Sequence, residues 1–232
     1  MSVSGHLRIA VDEYDARIRA FVPYYEELIL CAAQAMDLLA TRSPTVTDLG
    51  IGTGALAAAC LAQRPQARII GLDLDESMLD IARSRLGASP GVELRVSDFV
   101  KQPLPPCNAL MACLSLHHIQ TAAEKQAFYT SCRQALEPSG ILVSADCFPA
   151  ADERLAARHR EAWLAHMETT CTRAEAEGHL ESWAAEDFYF PLEHELDWLR
   201  SAGFQTEVLW RKDGFAVVAA LCPGSIDGAR AG

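Results

Sequence analysis

The run Val46-Thr47-Asp48-Leu49-Gly50-Ile51-Gly52-Thr53-Gly54-Ala55-Leu56-Ala57 decides the fold. β-Branched residues lead into a glycine-rich turn, and the turn opens an alanine-rich stretch of helical composition. Strand, turn and helix make one βα unit, whose turn presents backbone N–H groups at a helix N-terminus. Gly50, Gly52 and Gly54 lack a Cβ, so the chain can bend sharply there and approach a ligand closely. Their order is G-x-G-x-G, distinct from the G-x-G-x-x-G of dinucleotide-binding turns. The turn marks a nucleotide-like cradle, and the residues that follow decide its partner.

Beyond the turn, strand and helix patterns alternate. A strand at Thr45–Leu49 leads to a helix at Ala55–Gln63 and a strand at Arg68–Leu72. Asp75 or Ser77 caps a helix running to Leu86, and Gly87 with Pro90-Gly91 turns the chain into a strand at Val92–Val96. After the Pro103–Pro106 loop come a buried strand at Ala109–Leu114, a helix at Ala122–Leu136, a turn at Pro138-Ser139-Gly140 and a strand at Ile141–Ala145. Strands apolar on both faces and alternating with helices predict an α/β fold, a doubly wound, mostly parallel sheet covered by helices. Asp152 to Glu177 reads as one long helix or a broken pair, and Gly178 to Phe190 as irregular. Pro191 opens a helix ending near Ala202, with Gly203 as its stop. Phe204–Trp210 and Phe215–Leu221 flank Asp213-Gly214, a hairpin signal, so the seventh strand returns antiparallel.

Before the first strand, Val11, Tyr14, Ile18 and Phe21 form a helical stripe. A second helix from Tyr25 to Leu39 follows the break at Pro23. The expected organisation is cap helices over 1–44, a nucleotide-binding domain over 45–222 with a helical insert at 150–190, and a disordered tail at 223–232.

Half of the 232 residues are hydrophobic, enough for a full core, and the formal charge is −11. That charge argues against unaided binding to nucleic acid or an anionic membrane, because both need a basic face. Eight scattered cysteines form no C-x-x-C pair, several lie in apolar runs, and no stretch approaches a membrane span. Met1 to His6 offers neither a basic nor an apolar leader region. A soluble, cytoplasmic, reduced protein is expected.

Chemistry is expected at four places. Asp73 ends the second strand about twenty residues past the glycines, where a carboxylate accepts both hydroxyls of a ribose. Asp98, in Val96-Ser97-Asp98-Phe99, is placed to accept an exocyclic amine while Phe99 packs on the ring. Leu114-Ser115-Leu116-His117-His118-Ile119 leaves the fourth strand at the ligand-binding edge of the sheet, so His117 or His118 can act as base or orienting donor. In the insert, His159, Trp163, His166 and Met167 share a face. They form either an acceptor wall or a lid packed on the sheet. Trp183, Phe188, Tyr189 and Phe190 add an aromatic wall or seal a loop. A metal is not expected: adjacent His117 and His118 would point apart on extended backbone, and no His/Cys spacing resembles a zinc motif.

Taken together, Val46–Ala57, Gly71–Met78, Val96–Phe99, Leu114–Ile119 and Leu136–Gly140 resemble the successive motifs of class I, Rossmann-like S-adenosylmethionine (SAM)-dependent methyltransferases. The likeness spans Thr45 to Leu221, and Tyr14–Tyr25 is similar to the cap helix of small-molecule members. The resemblance implies that Asp48 and Gly50 meet the methionine amino group, while Gly52, Thr53 and Gly54 permit close backbone approach. It implies Asp73 on the ribose, Leu74 and Met78 beside adenine, Asp98 and Phe99 on its amine and ring, Leu114 and Ser115 near the methionine moiety, and Tyr14 over the cofactor. Tyr25 joins the insert in facing a small-molecule acceptor. The implied product is S-adenosyl-L-homocysteine, and a homodimer is left open. A sulfonium carries no pyrophosphate, so the loop needs no third glycine placed for one.

Phe21–Tyr25 and Gly203–Trp210 also resemble carboxy-SAM synthase, in which SAM accepts a carboxyl-derived group. That family uses an arginine near the position of Trp198 to hold the carboxylate, and here Arg200 is nearest. A SAM-binding subunit without turnover is the third reading, and the glycine spacing disfavours an NAD oxidoreductase.

Overall fold

The computed structural model describes residues 14–87 and 91–223. The expected helix start at Val11, the turn residue Pro90 and the tail from residue 224 lie outside them. The elements are α1 (Tyr14–Phe21), α2 (Tyr25–Gln34) and a 3₁₀ turn (Ala35–Leu38), then β1 (Thr45–Leu49), α3 (Ala55–Gln63), β2 (Arg68–Asp73), α4 (Glu76–Leu86) and β3 (Val92–Val96). They continue with β4 (Cys107–Cys113), a 3₁₀ turn (Leu116–His118), α5 (Ala122–Ala135), β5 (Leu136–Cys147), α6 (Glu153–Met167), α7 (Arg173–Trp183), α8 (Leu192–Ser201), β6 (Gln205–Lys212) and β7 (Phe215–Leu221).

The seven strands form one sheet in the order β3-β2-β1-β4-β5-β7-β6. All pairings are parallel except those of β7, which runs antiparallel to β5 and β6. The order reverses between β1 and β4, and that switch point is where open α/β sheets leave a crevice at their carboxyl ends.

Alternation along the strands separates two cores. Val46, Ile69, Met111, Val143 and Val217 face α1, α2, α3 and the insert helices. Ile70, Leu110, Leu142 and Val218 face α5 and α8. The edge strands depart from the expectation of two apolar faces. Residues of β3 and β6 are mostly exposed or half-exposed, because each edge has a single neighbour.

Local chemistry explains the element ends. Asp75 caps α4 by accepting from Ser77 N at 3.0 Å, and capping boxes start α5 (Thr121, Glu124) and α7 (Thr172, Glu175). The second capping box breaks the insert into two helices. It also carries α7 through Gly178 to Trp183, where irregular chain was expected. The expected turn at Pro138-Ser139-Gly140 is instead an irregularity inside β5. Pairing jumps from Cys107–Leu136 to Ala109–Ile141, with Ser139 at φ 62°. Asp213 (φ 48°) and Gly214 turn the terminal hairpin. Among the described residues, no helix is long and apolar enough to cross a membrane.

Candidate active site

A cavity of about 450 Å³ opens at the carboxyl ends of β1, β2 and β4 and is roofed by α1. Its floor begins with the glycine turn. Gly50 (φ 71°) holds a backbone conformation that L side chains rarely adopt, and a Cβ added there would lie 2.7 Å from Ser115 Cβ. The chain must therefore pass this point bare, which keeps the turn close to the cavity. Ser115 Oγ donates to Leu49 O at 2.6 Å, and Leu114 sits at φ 53°, a strained position for leucine.

Two carboxylates flank the turn. Asp48 is buried, and its Oδ2 has no hydrogen-bond partner among the described residues. Burial, with the charge of Asp73 adding to it, pushes its carboxyl up to about 8. Asp73 accepts from Gly52 N at 2.8 Å through Oδ2 and from Asp75 N at 2.9 Å through Oδ1. A carboxylate accepts about four hydrogen bonds, so beside these donors and the backbone N–H of Leu74 it keeps room for a ligand hydroxyl. Burial raises the Asp73 carboxyl, while those N–H donors oppose the rise. A buried acceptor left over at Asp48 and a bare backbone beside it suit a cationic, ribose-bearing ligand. The residues present therefore fit SAM.

The remaining expected cofactor residues divide. Thr53, Leu74, Asp98, Phe99, Leu114, Ser115 and Tyr14 all line the cavity with Gly50 and Gly52. Burial pushes the Tyr14 phenol up, so it stays neutral. Asp98 is already engaged by its own turn, accepting from Val100 N (3.1 Å), Lys101 N (3.2 Å) and Lys101 Nζ (2.9 Å). Two residues are absent from the wall. Met78 is fully buried beneath α4, and Gly54 packs toward Ala82 at the N-terminus of α3.

The acceptor expectations divide in the same way. Trp163 and Tyr25 line the cavity together with Phe21, Trp183, Tyr189 and Phe215. The Trp163 indole donates to Phe21 O at 2.6 Å, tying α6 to the end of α1. Met167 is fully buried, and His166 donates from Nε2 to Arg19 O on the outside of α1. His159 packs against the hairpin at Gly214. The helix period that puts these residues on one side of α6 spreads them over a wider arc than the cavity covers. Phe190 turns away to pack on Trp198.

The histidines differ most from expectation. Leu116–His118 is a 3₁₀ turn, not extended chain, so the two rings stay together with centroids 4.3 Å apart. His117 Nδ1 donates to Asp146 Oδ1 at 2.6 Å. Burial lowers the His117 basicity, but the Asp146 carboxylate and its hydrogen bond raise it by more, with Asp187 adding to them. Asp187 Oδ1 lies 3.6 Å from His117 Nε2 and 3.3 Å from His118 Nδ1. Tyr189 OH donates to Asp187 Oδ2 at 2.7 Å. Asp146 and Asp187 were not singled out in the sequence. Asp146 had a signal, as a carboxylate closing an apolar strand. Asp187 had none, lying in a stretch without period.

Residues 46–140 match the family described as Methyltransferase domain. The chain is similar to a ribosomal RNA small subunit methyltransferase A from a Synechococcus strain, 38% identical over 85 residues, or 36% of this chain and 29% of the relative. It thus spans less than a third of that relative's length. A carboxy-S-adenosyl-L-methionine synthase from Campylobacter hominis is 25% identical over 208 residues, 88% of each chain. Among solved structures, human N-acetylserotonin methyltransferase in complex with SAM superposes with a TM-score of 0.65 at 18% identity, covering 95% of this chain and 58% of that one. Residues 46–140 thus match a methyltransferase domain, and the chain as a whole shares its fold with solved methyltransferases.

Proposed function

We propose that the protein binds SAM and transfers its methyl group to a small-molecule acceptor. The observation that carries the reading is the pair of cavity-facing carboxylates at the ends of β1 and β2, one with a buried oxygen lacking a partner. Asp48 would receive the cofactor's ammonium, Asp73 its ribose diol, and Phe99 and Leu74 its base. SAM, when bound, supplies an activated methyl on a sulfonium. The protein's work is then to hold an acceptor atom in line and keep water out. Tyr14, Ile18 and Phe21 of α1 roof the cavity, and Trp163, Trp183 and Tyr189 offer flat apolar surface to an acceptor. His118, half-exposed and facing the cavity, is placed to orient an acceptor hydroxyl or amine or to take its proton. The roofed cavity and the charge of −11 favour a small acceptor over a nucleic acid.

The breadth of the likeness to carboxy-SAM synthase supports a second reading, in which SAM is itself the acceptor. Against it, Trp198 packs on Phe190 and His194, and Arg200 pairs with Asp197 on the exposed side of α8. No arginine lines the cavity among the described residues. Calorimetry with SAM tests the cofactor assignment. Asp73→Ala should weaken binding at least tenfold, and unchanged affinity would reject it. Mass spectrometry of SAM-derived ligands that co-purify separates the two readings.

A further inference from the structure

We propose that His117, His118 and Asp187 form a binding site for one divalent transition-metal ion of the zinc class on the cavity floor. One donor atom from each of the three lies within 4.8 Å of the others. Asp187 Oδ1 is 3.3 Å from His118 Nδ1 and 3.6 Å from His117 Nε2. Ligands about 2.0–2.1 Å from a tetrahedral ion stand about 3.3–3.4 Å apart, so both carboxylate–imidazole spacings are close to that value. The two imidazole nitrogens, within 4.8 Å of each other, close on an ion by rotation of the half-exposed His118 ring. Two imidazoles and a carboxylate are a donor set for zinc, cobalt or ferrous iron rather than for calcium or magnesium, which prefer oxygen alone.

The surroundings hold each donor in a binding orientation. Asp146 accepts from His117 Nδ1, which fixes the tautomer that leaves Nε2 as the ligand atom. Asp146 is itself oriented by Cys147 N at 2.8 Å. Tyr189 engages Asp187 Oδ2 and turns Oδ1 toward the imidazoles. Phe188 N donates to His117 O at 2.8 Å, so the segment carrying Asp187 is pinned to the turn carrying both histidines. Outer carboxylates that orient metal-bound histidines are the recurring second layer of protein metal sites. All three donors line the cavity, so an ion here is reachable and keeps its fourth position open for an oxygen or nitrogen of a bound molecule.

The site stands independently of methyl transfer, and its test measures metal alone. The chelator-treated full chain is titrated with cobalt(II) by calorimetry and absorption, then with zinc in competition. One ion per chain, an absorption spectrum of nitrogen and oxygen ligands, and at least tenfold weaker binding in both His118→Ala and Asp187→Asn are expected. Asp146→Asn should weaken binding by about 10–100-fold without removing a ligand. His118 is half-exposed, so its alanine variant tests the site even if a buried substitution fails to fold. Absence of binding at 100 µM cobalt, a thiolate-to-cobalt charge-transfer band, or variants that bind as the wild type does would overturn the proposal. SAM calorimetry on the same sample reports the cofactor assignment separately.

Discussion

Asp48 is the residue at which stability and binding pull in opposite directions. Its carboxyl is pushed up to about 8 by burial and by Asp73, against an ordinary value of 3.8. A raised carboxyl holds its proton longer in the folded state. The stability it contributes is therefore complete below about pH 4 and is lost as pH climbs toward 8. Denaturant melts of the free protein should show this loss, and Asp48→Asn should remove that part of it. Binding runs the other way, because a cationic ammonium prefers the ionised carboxylate. SAM affinity by calorimetry should rise about tenfold per pH unit below 8, and Asp48→Asn should be weak and flat with pH. Gly50 gives a second residue-scale expectation. Gly50→Ala adds a Cβ at a strained φ and 2.7 Å from Ser115, so a loss of about 1–3 kcal/mol is expected in unfolding experiments.

At the scale of elements, α1 is the roof and a polar latch holds its start. Arg85 of α4 donates to Thr53 O (2.9 Å) and Thr53 Oγ1 (2.8 Å) and pairs with Asp15, while Thr53 Oγ1 donates to Asp15 at 2.8 Å. The glycine turn, α4 and α1 thus meet at one point on the rim. The ion pair is partly exposed, so its worth to stability is about 1 kcal/mol or less. Its effect should appear in gating. Arg85→Ala is expected to speed SAM release several-fold in stopped-flow competition while moving the melting temperature little. The sequence showed α1 as an apolar stripe, but not the latch. Asp15, Thr53 and Arg85 are ordinary polar residues whose meeting depends on the crossing of three elements.

For the molecule as a whole, α5 and α8 close the second core over a buried polar network. Lys125 Nζ donates to Glu195 Oε1 at 2.5 Å, and Tyr129 OH donates to Glu195 Oε2. Removing one partner leaves a charge without compensation, so Glu195→Ala should cost about 3–5 kcal/mol. The triple change Lys125→Met, Tyr129→Phe and Glu195→Leu should recover most of it in denaturant melts, because an apolar cluster leaves no buried polar group unpaired.

Much of this architecture follows from local pattern. The turn from Gly50 to Gly54, the two-residue period of the strands and Asp213-Gly214 are local signals, and they determined the sheet, its winding and its antiparallel end. They also put Asp48, Asp73 and the Leu114–His118 segment at the ligand edge, because strand ends in a parallel sheet point the same way. Which face of α6 meets the cavity was decided only by packing, so Trp163 reaches the wall while Met167 and His166 do not. The polar cluster beneath it was likewise out of reach of the sequence. Asp146 and Asp187 lie 29 and 70 residues beyond His117. Only the crossing of β5 beside β4, and the return of the chain after α7, brings their carboxylates to one imidazole. Sequence fixes what repeats along the chain; contacts between distant segments exist only once the sheet has closed and the helices have packed on it.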